Sequence, residues 1–147
     1  VAWRTTFIVG FPTETDQDFE ELVDFVSEGH FQHLGIFLYS DEDNIRSSKF
    51  GDPIPLSLKE ERKNRLMEIQ QKISREHHQK MVGSLQQVLV GGFSSETDLL
   101  LEGRNQYQGP EVDGVVYINE GNATSAGFHQ VEITEAHEYD LVGKILN

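Results

Sequence analysis

Cysteine is absent from the 147 residues. That excludes disulfides, thiolate metal sites, cysteine-ligated iron–sulfur clusters and cysteine nucleophiles within this chain. Cations are scarce: 12 Lys and Arg stand against 25 Asp and Glu, a formal net charge of −13. Phosphate backbones are held by clustered cations, so this balance argues against RNA, DNA or an anionic membrane surface as the main partner, and it suits a basic one. Long hydrophobic runs are missing too, so no segment is expected to span a bilayer. Val1 is not preceded by an initiator methionine and no signal-peptide pattern follows, from which we expect a piece of a longer chain. G-x-S-x-G, Walker and H-E-x-x-H patterns do not occur, which removes the argument for a hydrolase triad, a nucleotide loop or a zincin. What remains suffices for a small core: 37% of residues are hydrophobic, with nine Phe, four Tyr and one Trp.

Two periodicities divide the chain near residue 80. Thr5 to Val9 is β-branched and aromatic and ends at Gly10-Phe11-Pro12, as a strand does. Thr15 predicts an N-cap with Asp16 and Asp18 in the first turn, and Phe19, Leu22, Val23 and Val26 follow at helical spacing. Gly29 predicts the helix end. The apolar run Leu34–Tyr39 reads as a buried parallel strand, which implies a right-handed crossover. Residues 40–56 read as a loop. Ser57-Leu58-Lys59-Glu60 has capping-box spacing, and Leu58, Leu66, Ile69 and Ile73 give a helix to about His78 an apolar stripe, interrupted by Arg62.

From residue 84 the period is two. Strands are expected at 85–91, 97–102, 114–119, 128–134 and 139–146, separated by glycine turns. Val131 alternates with Ile133, and Tyr139, Leu141 and Ile145 form a second alternating set. The fold class is therefore α/β followed by all-β, the second part a small OB-like five-stranded antiparallel barrel. Two parallel strands with open edges do not complete a domain, so the first part is expected to belong to a larger α/β unit.

Candidate sites follow from placement. Gly10, Phe11, Pro12 and Glu14 end one parallel strand and open a helix, and Tyr39 and Ser40 lie at the same end of the next. Ligands of parallel α/β folds sit at the carboxyl ends of strands, although an ordinary strand-to-helix turn explains the same residues. Asp41-Glu42-Asp43-Asn44 lacks the glycine of a calcium loop and reads as a solvated acidic loop. His30 and His33 read as residues that satisfy last-turn carbonyls rather than as metal ligands. His77 and His78 point apart on a helix, and Asn122-Ala123-Thr124 reads as a chance sequon. No catalytic residue and no metal ligand is assigned. Residues 80–147 carry three Lys and Arg against ten Asp and Glu, a net of −7. Such a barrel has aromatics but no basic groove for nucleic acid, and it would attract a cationic protein segment or be merely a solvated acidic surface. Glu111, Asp113, Glu135 and Glu138 lie in or beside expected turns and are the candidate partner-binding acids.

Several of these segments are familiar together. The run RTTFIVGFPTET (Arg4–Thr15), with Asp18-Phe19-Glu20-Glu21-Leu22, resembles the late-barrel segment of radical-SAM methylthiotransferases. Leu34–Ser40 resembles their next strand, and Arg62–Ile73 the helix that leaves the barrel. Pro110–Tyr117 and Tyr139–Gly143 resemble the TRAM domain of the branch that modifies an aspartate of small-subunit ribosomal protein twelve, the RimO type. The family usually carries Gly where Thr13 stands, and its loop after Tyr-Ser differs from Asp43–Ser47.

The resemblance implies that residues 1–79 are the C-terminal portion of a radical-SAM, TIM-like barrel with its exit helix, and that residues 80–147 are a TRAM domain. It implies S-adenosylmethionine and two 4Fe-4S clusters as cofactors of the whole enzyme, with the cluster cysteines outside this chain, so that the chain alone is inactive. Gly10, Phe11, Pro12, Glu14, Tyr39 and Ser40 would border the S-adenosylmethionine pocket. The partner would be the basic ribosomal protein, in the cytoplasm, without RNA or membrane. A tRNA methylthiotransferase relative and a non-catalytic acidic OB-like binding module are the alternatives.

Overall fold

Strand β1 (Arg4–Val9) and strand β2 (His33–Leu38) pair in parallel, with Arg4 opposite His33 and Val9 opposite Leu38. Helix α1 (Asp16–Ser27) makes the crossover between them. Thr15 is its N-cap: Thr15 Oγ1 accepts from the Asp18 N–H at 3.1 Å, and the Asp18 carboxylate accepts from the Thr15 N–H at 3.0 Å. Two otherwise orphaned amides are satisfied in this way. Gly29 ends the helix at φ 77°, its N–H on the Val26 carbonyl at 3.1 Å. The computed structural model describes residues 2–42, 45–93, 100–109, 113–121 and 127–146.

The chain forms two compact units, Ala2–Ile73 and one that begins at Ser74. In the first, the inner face of the two-stranded sheet and the apolar side of α1 enclose a core of Val9, Phe19, Val23, Val26, Ile36 and Leu66. The outer face is bare among the described residues: Ile8 stands opposite Phe37, and they are 59% and 64% exposed. The loop after β2 contains a 3-10 turn, Arg46–Phe50, that the polar composition did not reveal.

Helix α2 covers Leu56–Met81. The expected capping box at Ser57 is not its start. Pro55, with its fixed φ, presents its carbonyl to the N–H groups of Leu58 and Lys59, each at 3.1 Å, so the helix begins ahead of Ser57. The fully buried positions of α2 are Lys59, Arg62, Leu66 and Gln70. Of the expected stripe, Leu66 is buried and Ile69 packs half-buried against the same core, while Leu58 and Ile73 are half-buried.

The second unit contains β3 (Leu85–Phe93), β4 (Leu101–Arg104), β5 (Val116–Glu120), β6 (Gly127–Ala136) and β7 (Leu141–Ile145). They close into a barrel in the order β3-β4-β5-β7-β6, the last pairing back onto β3. The barrel is not wholly antiparallel as expected: β5 and β7 run parallel, Val116 opposite Leu141. Only a strand order that departs from sequence order brings these two side by side, and periodicity carries no information about that. Inside lie Val88, Val90, Val116, Ile118, Val131, Ile133, Leu141 and Ile145. Tyr139 was expected among them but precedes β7 and is 51% exposed. The last turns of α2 belong to this unit. Ser74 Oγ donates to the Glu138 carbonyl at 2.8 Å, and Met81 packs against the barrel core.

Candidate functional site

The parallel register brings the ends of β1 and β2 to one rim. The Tyr39 N–H donates to the Val9 carbonyl at 2.8 Å, the last rung between the strands. Gly10 then turns away at φ 83°, a conformation that side-chain-bearing residues resist. Its N–H donates to Glu14 Oε2 at 2.9 Å, and the Glu14 N–H returns to the Phe11 carbonyl at 2.8 Å. The segment 10–14 is thus a closed turn. Phe11 lies edge-on to Tyr39 at 5.4 Å and to Phe50 at 6.3 Å. Tyr39 Oη donates to Ser47 Oγ at 3.1 Å. Of the six expected rim residues, Gly10, Phe11, Glu14 and Tyr39 are bonded or packed to one another. Pro12 is half-buried in the same turn, and Ser40 is exposed just past β2.

Sequence reasoning missed the two cations behind the rim. Lys59 is 3% exposed and Arg62 4%. Lys59 Nζ donates to the Tyr39 carbonyl at 2.9 Å and to both Asp52 oxygens at 2.6 and 2.8 Å. Arg62 donates to Glu14 Oε1 at 2.7 Å and to Asp16 Oδ1 at 2.8 Å, and its guanidinium lies 5.3 Å from the Phe19 ring centre. Spaced three apart, the two residues share one face of α2. The only signal in the sequence was Arg62 breaking an apolar stripe. A buried cation interrupts a stripe only where acids meet it, and those acids lie 46 and 48 positions away.

Farther out, Arg65 grips Glu20 with both nitrogens, at 2.5 and 3.1 Å. That grip holds the Glu20 carboxyl below its usual range and raises Arg65. The Thr15 amide, then the Thr15 hydroxyl, lower Asp18 in the same sense. His30 does not satisfy helix carbonyls as expected: its Nε2 meets Glu28 Oε2 at 2.6 Å. Among the described residues no three His, Asp or Glu gather as metal ligands, and no helix is long and apolar enough to cross a membrane.

Residues 82–146 match the TRAM domain family. Proteins named ribosomal protein uS12 methylthiotransferase RimO match nearly the entire chain. The one from Desulfotalea psychrophila is 47% identical over 147 residues, all of this chain and 33% of its own length. The Bdellovibrio bacteriovorus protein is 50% identical over 143 residues, 97% of this chain and 31% of its own. That of Aquifex aeolicus is 46% identical over 143 residues, 97% and 33%. The chain resembles a RimO-type methylthiotransferase and carries a TRAM domain. It spans about a third of the length of these RimO relatives.

The four acids expected to meet a partner stand in different situations on the TRAM domain. Glu111 lies outside the described residues, as do Asp43, Asn44 and the sequon at Asn122. Asp113 closes its own loop by accepting from the Gly109 N–H at 2.6 Å. Glu138 is paired with Arg75 of α2. Glu135 is open to solvent, its carboxylate 63% exposed and 3.7 Å from His137 Nε2.

Proposed function

We propose that the chain is the C-terminal portion of a radical-SAM enzyme that methylthiolates an aspartate of ribosomal protein uS12 in the cytoplasm. Residues 1–79 would belong to the α/β barrel and residues 80–147 to the TRAM domain that receives the basic substrate. The observation that carries this reading is the 46–50% identity to RimO proteins of three bacteria along nearly the entire chain. The bare outer face of β1 and β2 supports it independently. Parallel strands are covered on both faces in almost every protein, and Ile8 and Phe37 form an apolar pair with nothing over them among the described residues.

The residues fit the two implied cofactors unequally. An iron–sulfur cluster needs thiolates and this chain supplies none, so no step through a cluster is assigned to it. The rim fits S-adenosylmethionine better. It offers Phe11, 37% exposed, and the exposed Ser40, which follows the Tyr39 that Phe11 packs on. When bound in the whole enzyme, S-adenosylmethionine and the clusters supply radical generation and sulfur transfer. Gly10, Phe11, Pro12, Glu14, Tyr39 and Ser40 would shape and orient, and none of them moves a proton. The chain by itself is expected to show no cluster absorbance after anaerobic reconstitution with iron and sulfide.

For the TRAM domain, the net of −7 over residues 80–147 favours a basic protein over tRNA. Attraction of this kind acts mostly on association rate and weakens with salt, as the Debye length falls to about 8 Å at physiological ionic strength. Glu111 and Glu135 are the acids to reverse, because Asp113 and Glu138 also hold the domain together. Association of the chain with uS12 and with tRNA, at two salt concentrations, is the test. The expected result is salt-sensitive binding to uS12 that slows in the Glu111→Lys, Glu135→Lys variant. Salt-sensitive binding to tRNA instead would favour a tRNA-modifying relative.

A further inference from the structure

The end of β2 holds an arrangement that a simple ion pair does not require. In a parallel ladder, a residue's N–H and C=O go to two different residues of the neighbouring strand, those flanking its partner. The Tyr39 N–H uses the Val9 carbonyl in this way. Its own carbonyl would next take the Phe11 N–H, but β1 has ended and Gly10, at φ 83°, has turned the chain aside. The Lys59 ammonium stands in the vacated place, 2.9 Å from the Tyr39 oxygen.

Three features show that the position is built for this side chain. The Lys59 stem lies so close to Gly10 that a Cβ there would fall 2.5 Å from Lys59 Cγ and 2.8 Å from Cδ. The ammonium is 5.5 Å from the Tyr39 ring centre. Both Asp52 oxygens hold it from the far side, which ties the 40–56 loop to the same point.

The peptide bonds of the described residues are trans. In a planar trans unit the C=O and the following N–H point in opposite directions. Fixing the Tyr39 carbonyl on Lys59 therefore aims the Ser40 N–H away from α2, and Ser40 is exposed. We infer that Lys59 is a positioning residue: by gripping the Tyr39 carbonyl it presents the Ser40 amide as a fixed donor to a hydrogen-bond acceptor of the ligand at the strand ends. This rests on the reading above that the ligand there is S-adenosylmethionine.

The test uses Lys59→Met, which keeps a stem against Gly10 and removes the donor, in the full-length protein. Two measurements separate positioning from stability. The first is amide hydrogen exchange without ligand. Tyr39 should exchange faster in the variant while Ile36, in the same strand, keeps its protection. Equal loss at both, or no change at either, overturns the inference. The second is equilibrium binding of S-adenosylmethionine. The variant should bind about tenfold more weakly, the scale of one lost hydrogen bond, and Lys59→Arg, which keeps a donor, should recover part of the loss. Wild-type binding matched by Lys59→Met removes the role of Lys59 alone. A wild type that does not bind S-adenosylmethionine removes the rim reading, and the exchange result still decides whether Lys59 sets the peptide. If Lys59→Met does not fold, Asp52→Asn takes its place. It weakens the hold on the ammonium, and the same split between Tyr39 and Ile36 is expected.

Discussion

Arg62 and Arg65 sit three residues apart on α2, and both meet carboxylates, yet their environments predict unequal roles. The Arg62 side chain is 5% exposed and its partner Glu14 11%, whereas Arg65 and Glu20 are 47% and 54% exposed. Removing one member of a buried pair strands a charge in low dielectric and typically costs about 3–5 kcal/mol. Exposed pairs contribute about 0–1 kcal/mol. Arg62→Met should therefore lower the denaturation midpoint markedly, and Arg65→Ala should barely move it. Equal effects in a denaturant titration would contradict the placement of Arg62. A second prediction concerns acid. Asp18 and Glu20 both have folded-state pKa values lowered below their ordinary range. A lowered carboxyl stabilises fully above its unfolded pKa and loses that contribution as pH falls through the folded one. Unfolding midpoints measured from pH 6 down to pH 2 should thus decline through the acid range. The Asp18→Asn, Glu20→Gln variant should show a shallower decline, and an identical slope would remove these two groups as its source.

The elements differ in how plainly the residues announce them. Strand β1, helix α1 and strand β2 were legible because each follows from local chemistry: β-branched residues, a Thr15 cap, a 3.6 period and an apolar run. The second half was legible as short strands between glycines. The start of α2 was misread because Ser57-Leu58-Lys59-Glu60 satisfies a local rule that Pro55 pre-empts. The cations on the buried face of α2 were missed because Lys59 and Arg62 look like surface residues until Asp52 of the preceding loop and the distant Glu14 are brought to them. The parallel pairing of β5 with β7 follows from strand order in space, to which periodicity is blind. The two sets of strands should also differ in protection. β5 is paired on both sides, with β4 and β7, whereas β1 and β2 have only each other among the described strands. Amide exchange in the chain should be faster at Phe7–Val9 and Ile36–Leu38 than at Val116–Ile118. Equal protection in a monomer would show that the two-stranded sheet needs no further neighbours.

At the scale of the whole molecule, the chain joins a sheet whose outer face is uncovered among the described residues to a barrel that closes on itself. The candidate site was legible as far as the strand-end rule reaches. Gly10, Glu14 and Tyr39 were placed on one rim by that rule alone, but the cations that fix that rim were not. The acidic charge balance was legible in full, since charge is counted rather than folded. Which of the acids are open to a partner was not, because Asp113 and Glu138 are committed to loop and helix contacts that depend on tertiary structure. The central claim is that this chain serves the methylthiolation of a basic protein and not of tRNA. The most direct measurement is mass spectrometry of uS12 and of tRNA after separate anaerobic incubations with the full-length protein, S-adenosylmethionine, a reductant and a sulfur source. The account predicts a methylthio group on one aspartate of uS12 and unmodified tRNA. A methylthio adduct on tRNA with uS12 untouched would contradict it.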